Sequence, residues 1–221
     1  MTIDKNINIM MIDTETTNSL DDPIVYDVGF SIFNLAGKTF AERSYVNADI
    51  FLDKDLMQYA YFIDKVPQYW KEIKAGDRTL AKWCTITKEI YKLVQQYDVK
   101  IICAHNARFD YRSMHLTQRY ITTSKWRYVF PFGCVEWWDT LKMARAILKN
   151  NDNYTNFCFN NKFLTKNNKV QYTAEVIYKW LTDNVDFAEQ HTGLEDVKIE
   201  RQIFEFLIHE NPDFDGRLWE N

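Results

Sequence analysis

The order of the apolar segments constrains the fold of this chain more than any other feature of its sequence. An apolar, strand-like run covers residues 7–16, and residues 23–47 supply two more strands joined by a turn at 34–38 that contains Gly37. Further along, strand-like runs alternate with segments of helical periodicity. Short turns favour antiparallel pairing, whereas strand–helix–strand alternation favours parallel pairing. The sequence therefore predicts an α/β fold whose mixed sheet is an antiparallel meander followed by parallel strands, flanked by helices.

The remaining elements follow from the same periodicities. Helices are predicted over 85–97, 107–120, 141–149, 173–184 and 196–210, and strands over 99–106 and 134–140. Asp139 or Thr140 is placed to cap the helix at 141–149. Residues 50–82 are helix-like in pieces that Pro67 and Gly76 interrupt, and the Asn/Lys-rich residues 149–171 are predicted to be a surface loop with room for a short helix. We expect one domain over residues 1–221.

Composition limits the class of partner. The net charge of −4 argues against a long basic groove that grips duplex nucleic acid, and it favours a short or single-stranded end. Acidic metal ligands lower the net charge without excluding a nuclease, because their cations are not counted. The 16% of aromatic residues are interpreted mainly as packing residues, with some available as stacking surfaces for bases.

Features of secreted, zinc-binding and membrane proteins are not indicated. The four cysteines (Cys84, Cys103, Cys134 and Cys158) lie far apart, so neither a zinc site nor a disulfide framework is predicted. The N-terminal apolar run is too short for a signal peptide, and no run reaches the ~18 residues of a membrane span. We expect a soluble, cytoplasmic protein.

Acidic residues follow two of the predicted strands. Asp13 and Glu15 end the first strand and, being two residues apart, project from one face of it. Paired carboxylates repel each other unless a cation joins them, and their hard oxygens suit Mg²⁺ or Mn²⁺. Asp110 lies in the first turn of the helix after the strand at 99–106, and the carboxyl ends of strands are where α/β sheets bind ligands. The alternative for Asp110 alone is that it complements the helix dipole.

A third candidate group lies near the C-terminus, in HTGLED (191–196). His191 and Asp196 are five residues apart, which rotates them by roughly 140° on a helix. The pair is compatible with one site if His191 lies on the preceding loop while Asp196 points inward from the helix. Taken alone, His191 is better interpreted as an ordinary surface-loop histidine.

The four motifs in order resemble the DEDDh exonucleases, the family of the bacterial polymerase proofreading subunit, RNase T and oligoribonuclease. Asp-x-Glu follows the first strand, then come HNARFD (105–110), DTL (139–141) and His-x-x-x-x-Asp (191–196), and the resemblance covers Ile9 to about Ile208. Within this family, the chain resembles phage-encoded members most, in the segments YWKEI, YTNFC and FAEQHTGLEDVKIE. A phage protein of this kind would act in the host cytoplasm.

The resemblance implies a ribonuclease-H-like fold and a 3′–5′ exonuclease that releases nucleoside 5′-monophosphates from single-stranded DNA or RNA. It implies that Asp13, Glu15, Asp110 and Asp196 bind two divalent cations, Mg²⁺ or Mn²⁺, and that His191 is the general base. Asp139 is then structural, in agreement with its predicted cap position. A homodimer or a polymerase-type partner is left open, because some family members are dimers.

Candidate substrate contacts lie beside these residues. Thr14, Thr16 and Thr17 are placed to contact the terminal sugar, and Asn106 and Arg108 to contact nucleic acid near Asp110. The alternatives are turn chemistry for Thr16 and Thr17 and a solvent-facing ion pair for Arg108. His105 is interpreted as a satisfied strand-end histidine. The chain departs from the family in having no His-Gly-Ile segment within 47–83, and in Gly193, where Ala is common, which is interpreted as a conservative change.

Three other functions compete with this interpretation. The chain could be a nuclease-like module that binds nucleic-acid ends or a replication or repair partner without efficient chemistry. It could be a metal-dependent phosphatase or endonuclease with similar carboxylates. A purely structural protein is disfavoured because Asp13 and Glu15 directly follow an apolar strand.

Overall fold

A computed structural model of the chain describes residues 3–123, 129–130 and 135–219, and its centre is a mixed sheet. The strands are β1 (Asn8–Thr17), β2 (Ile24–Asn34), β3 (Thr39–Asn47), β4 (Thr79–Ala81), β5 (Val99–Ala104) and β6 (Glu136–Asp139). They lie in the order β4-β3-β2-β1-β5-β6. The first three pair antiparallel, while β3–β4, β1–β5 and β5–β6 are parallel. The predicted meander followed by parallel strands is confirmed.

The helices are α1 (Ala48–Phe51), α2 (Lys54–Met57), α3 (Val66–Ala75), α4 (Trp83–Gln96), α5 (Ala107–Ile121), α6 (Thr140–Leu148), α7 (Asp152–Asn160), α8 (Ala174–Leu181) and α9 (Gly193–Glu210). A 3₁₀ turn covers Ile63–Lys65. Helices α4, α5, α6, α8 and α9 confirm the five helices that periodicity predicts. None of the helices in the described parts of the chain is long and apolar enough to cross a membrane.

The two faces of the sheet carry separate hydrophobic clusters. On β1, Met10 and Ile12 pack in the cluster that contains residues of α4 and α5. Ile9 and Met11 alternate with them and pack in the cluster of α6, α7, α8 and α9. Because the alternation continues along β1, the acids at 13 and 15 fall on the α9 side of the strand, and Thr14 falls on the α5 side.

Residues 50–82, which were difficult to interpret from sequence, contain helices and one strand. Pro67 lies in the first turn of α3, and Gly76 ends that helix in a left-handed conformation with φ of 85°. The two residues are therefore the start and stop of one helix instead of interruptions in several. The short strand β4 was not predicted, since three residues offer too little alternation to recognise.

The Asn/Lys-rich segment 149–171 contains one short helix within a loop. Residues 152–160 form α7, capped by the Asn151 side chain on the Tyr154 amide. This is the short helix for which the sequence left room, and most of the remainder is loop, in which a β-bridge joins Leu164 to Val170. Cys84, Cys103 and Cys158 are free thiols, while Cys134 lies outside the described residues.

Candidate active site

The predicted acids converge at one edge of the sheet. The parallel strands β1, β5 and β6 end at this edge, and each is followed by polar residues. A cleft of about 1160 Å³ opens there. All five residues of the predicted catalytic set line it: Asp13, Glu15, Asp110, His191 and Asp196.

Asp110 reaches β1 from the first turn of α5. Its Oδ1 accepts hydrogen bonds from the Thr14 amide at 3.1 Å and the Thr14 hydroxyl at 2.8 Å. These contacts fix the carboxylate beside the Asp-x-Glu motif. Burial raises the pKa of Asp110 to about 7, although the hydrogen bonds from Thr14 act in the opposite direction.

The two acids of β1 are also difficult to ionise in this site. Burial, followed by the charge of Glu200, raises the pKa of Asp13 well above its usual range. Burial, followed by the charge of Asp27, raises the pKa of Glu15 to about 9. Carboxylates crowded in this way are stabilised in their charged form by a cation placed among them.

His191 and Asp196 lie on the predicted elements. His191 precedes α9 with φ of 50°, and Thr192 occupies the N-cap position, so that Asp196 falls in the first turn of the helix. Asp196 is 7% exposed, and burial raises its pKa to about 7. Its Oδ1 is buried without a hydrogen-bond partner among the described residues. A buried carboxylate oxygen without a partner indicates a ligand that the protein atoms do not supply.

The donor atoms fit divalent cations. One carboxylate oxygen each of Glu15 and Asp196 and one ring nitrogen of His191 all lie within 4.8 Å of one another. Asp13 and Asp110 line the same end of the cleft. Four carboxylates are a suitable donor set for Mg²⁺ or Mn²⁺, which bind hard oxygen ligands.

The segment between β3 and α3 supplies the surroundings of His191. The Phe62 ring stacks on the imidazole with centroids 4.2 Å apart and 11° between the planes. The Lys65 ammonium donates a hydrogen bond to the carbonyl of Gln190. Burial, and then the charge of Lys65, lower the pKa of His191 below its usual 6.5. This imidazole is therefore neutral at pH 7 and able to accept a proton.

Two further carboxylates at the site were not predicted. Glu200 is 4% exposed, lines the cleft, and accepts a hydrogen bond from the His105 amide at 3.2 Å. It lies four residues after Asp196 on α9, so helical spacing could have identified it. Glu189 places Oε2 3.9 Å from His191 Nδ1, and burial raises its pKa to about 8.

Two residues assigned structural roles from the sequence have them. Asp139 caps α6 by accepting from the Leu141 amide at 2.9 Å, and it also accepts from the Asn106 amide at 3.1 Å. His105 is within hydrogen-bond distance of the Thr140 hydroxyl through Nδ1 and of the Tyr172 carbonyl through Nε2. Burial lowers the pKa of His105 to about 4, so it stays neutral and structural.

The candidate substrate contacts are not all brought together. Thr14 and Asn106 line the cleft, and Asn106 has left-handed backbone geometry at the start of α5. Thr16 does not line it, and Thr17 is 1% exposed and donates to the Leu56 carbonyl at 2.5 Å. Arg108 lines a separate cleft of about 410 Å³ on another side of α5. Of the five candidate substrate contacts, Thr14 and Asn106 are therefore the better placed to contact a nucleotide in the cleft.

A buried ion pair supports the loop that carries His191. Asp27 accepts from Arg78 Nη1 at 2.9 Å, from the Tyr69 hydroxyl at 2.8 Å and from the Gly193 amide at 2.9 Å. Burial raises the pKa of Asp27 even though Arg78 lowers it. The network links β2, α3 and the start of α9, and no sequence motif pointed to it.

Gly193 is required by close packing, which corrects its interpretation as a conservative replacement. A Cβ at residue 193 would lie 2.5 Å from the amide nitrogen of Gly29 and 3.2 Å from the Asp13 carbonyl oxygen. The first distance is too short for any real contact between these atoms. The two glycines allow α9 to begin directly against β2 and next to the carboxylates of β1.

Comparison with known proteins gives structural matches only: no protein-family model matches the sequence, and neither does any curated protein. Cell-death related nuclease 4 (CRN-4) is similar with a TM-score of 0.55 and 9% identity over 92% of this chain. Exonuclease I from Methylocaldum szegediense gives 0.57 and 15% over 94%. E. coli exonuclease I in complex with a dT13 oligonucleotide gives 0.62 and 12% over 93%.

These similarities concern the fold. The chain covers 64% of CRN-4 and 41–42% of the two exonuclease I chains, so it is similar to part of each. The mixed sheet flanked by helices is the ribonuclease-H-like arrangement that these nucleases share with it. The predicted fold class is confirmed.

Proposed function

We propose that this protein is a metal-dependent 3′–5′ exonuclease of the DEDDh type that acts on single-stranded DNA or RNA. The observation that carries the proposal is the convergence of Asp13, Glu15, Asp110 and Asp196 on one cleft, with a neutral His191 beside them. The unpartnered Oδ1 of Asp196 supports a cation at this point. The fold similarity to nucleases, among them an exonuclease I in complex with a dT13 oligonucleotide, agrees with it.

The four carboxylates would hold two divalent cations, Mg²⁺ or Mn²⁺. When bound, such ions supply positive charge that stabilises the attacking and leaving oxygens of an in-line displacement. The protein's own contribution begins with orientation. Thr14 holds Asp110 through two hydrogen bonds, and the Gly29–Gly193 contact sets Asp196 next to β1.

His191 would act as the general base. Its Nδ1 faces Glu189 at 3.9 Å, which leaves Nε2 to accept a proton from the attacking water. The water oxygen forms a bond to phosphorus while the bond from phosphorus to the 3′-oxygen of the preceding nucleotide breaks. That oxygen takes a proton from solvent, so the products are a nucleoside 5′-monophosphate and a strand shorter by one nucleotide.

The terminal nucleotide would lie against the end of β1. Of the three threonines predicted to contact the terminal sugar, Thr14 lines the cleft, as does Asn106 at the start of α5. Choice between DNA and RNA would depend on a contact to the 2′-hydroxyl.

The proposal is tested with oligonucleotides labelled at the 5′ end, in single- and double-stranded DNA and RNA, with Mg²⁺, Mn²⁺ or EDTA. We expect stepwise shortening from the 3′ end, release of nucleoside 5′-monophosphates, and inhibition by EDTA and by a blocked 3′ end. Internal cleavage of the blocked strand would indicate an endonuclease, and metal-independent or absent cleavage would reject the proposal.

A further inference from the structure

The cleft extends well beyond the carboxylates, and its two ends differ in charge. At one end lie six carboxylates of β1, α5, α9 and the segment before α9. The far wall is built by α6, α7 and residues 165–174, and the described residues of these segments that line the cleft include three basic ones and no acidic one. The basic residues are Arg145, Lys149 and Lys169. A cleft with this polarity separates a cation site from an anion-binding surface.

The basic wall comes from ordinary helix and hairpin geometry. Leu141, Arg145 and Lys149 follow at intervals of four residues, so one side of α6 and the residue directly after it face the cleft. Lys169 is held by a turn in which the Thr165 amide donates to its carbonyl at 2.7 Å. In the residues that the structure describes, none of the three basic side chains makes an ion pair. Their charges are therefore available to a ligand.

Aromatic rings lie among these charges. Phe159 of α7 lines the cleft and is 53% exposed, so its ring is accessible to a base. Tyr172 lines the same wall, and its carbonyl is within hydrogen-bond distance of His105, which follows β5. Basic residues that bind the backbone, interleaved with rings that stack on bases, are the pattern of a single-strand binding surface.

We propose that Arg145, Lys149, Phe159, Lys169 and Tyr172, here called the basic arm, bind the single strand on the 5′ side of the bond being cut. The proposal rests on the exonuclease function above and adds the path of the substrate. A volume of about 1160 Å³ exceeds the roughly 300–1,000 Å³ of small-molecule sites, so the cleft accommodates several nucleotides. The net charge of −4 agrees with a short single strand, and not a long duplex, as the ligand.

The test measures binding in the full chain carrying Asp110→Asn, so that hydrolysis does not consume the probe. The probes are fluorescent oligothymidines of about three and about twelve nucleotides, titrated at salt concentrations from about 50 to about 300 mM. The arm variant is Arg145→Gln/Lys149→Gln/Lys169→Gln. Its matched control is Lys71→Gln/Lys74→Gln/Lys88→Gln, which removes the same charge from exposed lysines of α3 and α4 that do not line the cleft.

We expect the arm variant to bind the longer probe at least tenfold more weakly than the control does. The slope of the logarithm of the binding constant against the logarithm of the salt concentration should become shallower by about 2 in the arm variant. The reason is that each of the three phosphate contacts with a single strand contributes about 0.7 to this slope. The gain in affinity from the short to the long probe should largely disappear. Phe159→Ala should weaken the longer probe by about tenfold, with an unchanged salt slope, because stacking carries no charge.

Equal affinities and slopes for the arm variant and its control would overturn the proposal. So would displacement of the oligonucleotide by a polyglutamate peptide at equal concentration, which would indicate a general polyanion site, or equally tight binding of a blunt duplex. The result is distinguishable from failure of the proposed function. If the wild-type chain has no nuclease activity but salt-dependent binding is lost in the arm variant and kept in the control, the basic arm is supported and the nuclease function is rejected. If the wild-type chain is an active nuclease but the arm variant binds like the control, the basic arm alone is rejected.

Discussion

The imidazole of His191 lies parallel to the Phe62 ring at a centroid distance of 4.2 Å. The stack joins the segment before α3 to the loop before α9, 129 residues apart in sequence (191 minus 62). It holds the histidine at the cleft while its backbone is left-handed, with φ of 50°. The orientation of the proposed base therefore depends on a ring that is outside the sequence motifs.

Removing that ring should reduce turnover. Phe62→Ala frees the imidazole to rotate and exposes it to water, and misplacement of a catalytic group costs on the order of ten- to a hundredfold in rate. We expect kcat to fall by about tenfold while Phe62→Tyr retains activity. Tyr59→Ala, which removes a 64% exposed ring three residues earlier, is the control. Equal kcat for the Phe62→Ala and Tyr59→Ala variants would show that the stack does not position His191.

The charge of Lys65 should set the acidic limb of the pH profile. Burial and then Lys65 lower the pKa of His191, so removing the charge with Lys65→Gln raises that pKa towards 6.5. A base must be unprotonated, and the acidic limb of kcat/KM should therefore move to higher pH in Lys65→Gln and remain in place in Lys65→Arg.

His191→Ala should lower the rate by about 10²–10⁴. A His191→Ala enzyme as active as the wild type across about pH 6–9 would remove this residue from the mechanism.

Gly193→Ala should destabilise the fold. The added Cβ would meet the Gly29 amide nitrogen at 2.5 Å, and overpacking of a close contact typically costs about 1–3 kcal/mol. The start of α9 must move away from β2, which also displaces Asp196. Urea unfolding should show the loss, and Gln202→Ala on the exposed side of α9 should not. An unchanged midpoint for Gly193→Ala would contradict the packing described for residues 29 and 193.

Without metal, the carboxylates should make stability depend on pH. The pKa values of Asp110 and Asp196 are raised from 3.8 to about 7, so the folded protein retains protons that the unfolded chain has released. Their contribution is complete below about pH 4 and is lost as the pH rises through about 7. In EDTA, the contribution of these two groups to the free energy of unfolding should be lower at pH 8 than at pH 5.

Divalent cations should reverse that loss, because they bind the charged carboxylates of the folded state only. The comparison is urea unfolding in EDTA and in Mg²⁺, for the wild type and for Asp110→Asn/Asp196→Asn. The double variant should show a weaker fall in stability between pH 5 and pH 8 and little response to Mg²⁺. Identical pH dependence in the two proteins would mean that these acids are ionised independently of folding.

The elements that carry the acids could be predicted from the sequence because each has a strong local pattern. The apolar run before Asp13 and the periodicity of α5 and α9 fix where Asp110 and Asp196 lie. Asp139 was recognisable as a cap since its position before an apolar helix is a local property. The positions of these residues could be predicted because they are determined by neighbouring residues in the sequence.

The features of the site that could not be predicted from the sequence depend on contacts between distant segments of the chain. Phe62 directly precedes the short 3₁₀ turn that ends at Lys65, a segment with no clear periodicity, and the relation of both residues to His191 appears only in three dimensions. The ion pair of Asp27 and Arg78 joins residues 51 apart. The need for glycine at 193 arises from β2, and no local rule distinguishes it from alanine there.

The most direct test of the central claim is the nuclease activity of Asp110→Asn beside the wild type, in Mg²⁺ and in Mn²⁺. Asp110 accepts both Thr14 hydrogen bonds, and the isosteric amide keeps the shape of the site while removing the charge of a proposed metal ligand. We expect the wild type to release nucleoside 5′-monophosphates from a single strand, and the variant to release none while it remains folded by circular dichroism. A folded Asp110→Asn variant with full metal-dependent activity would contradict the assignment.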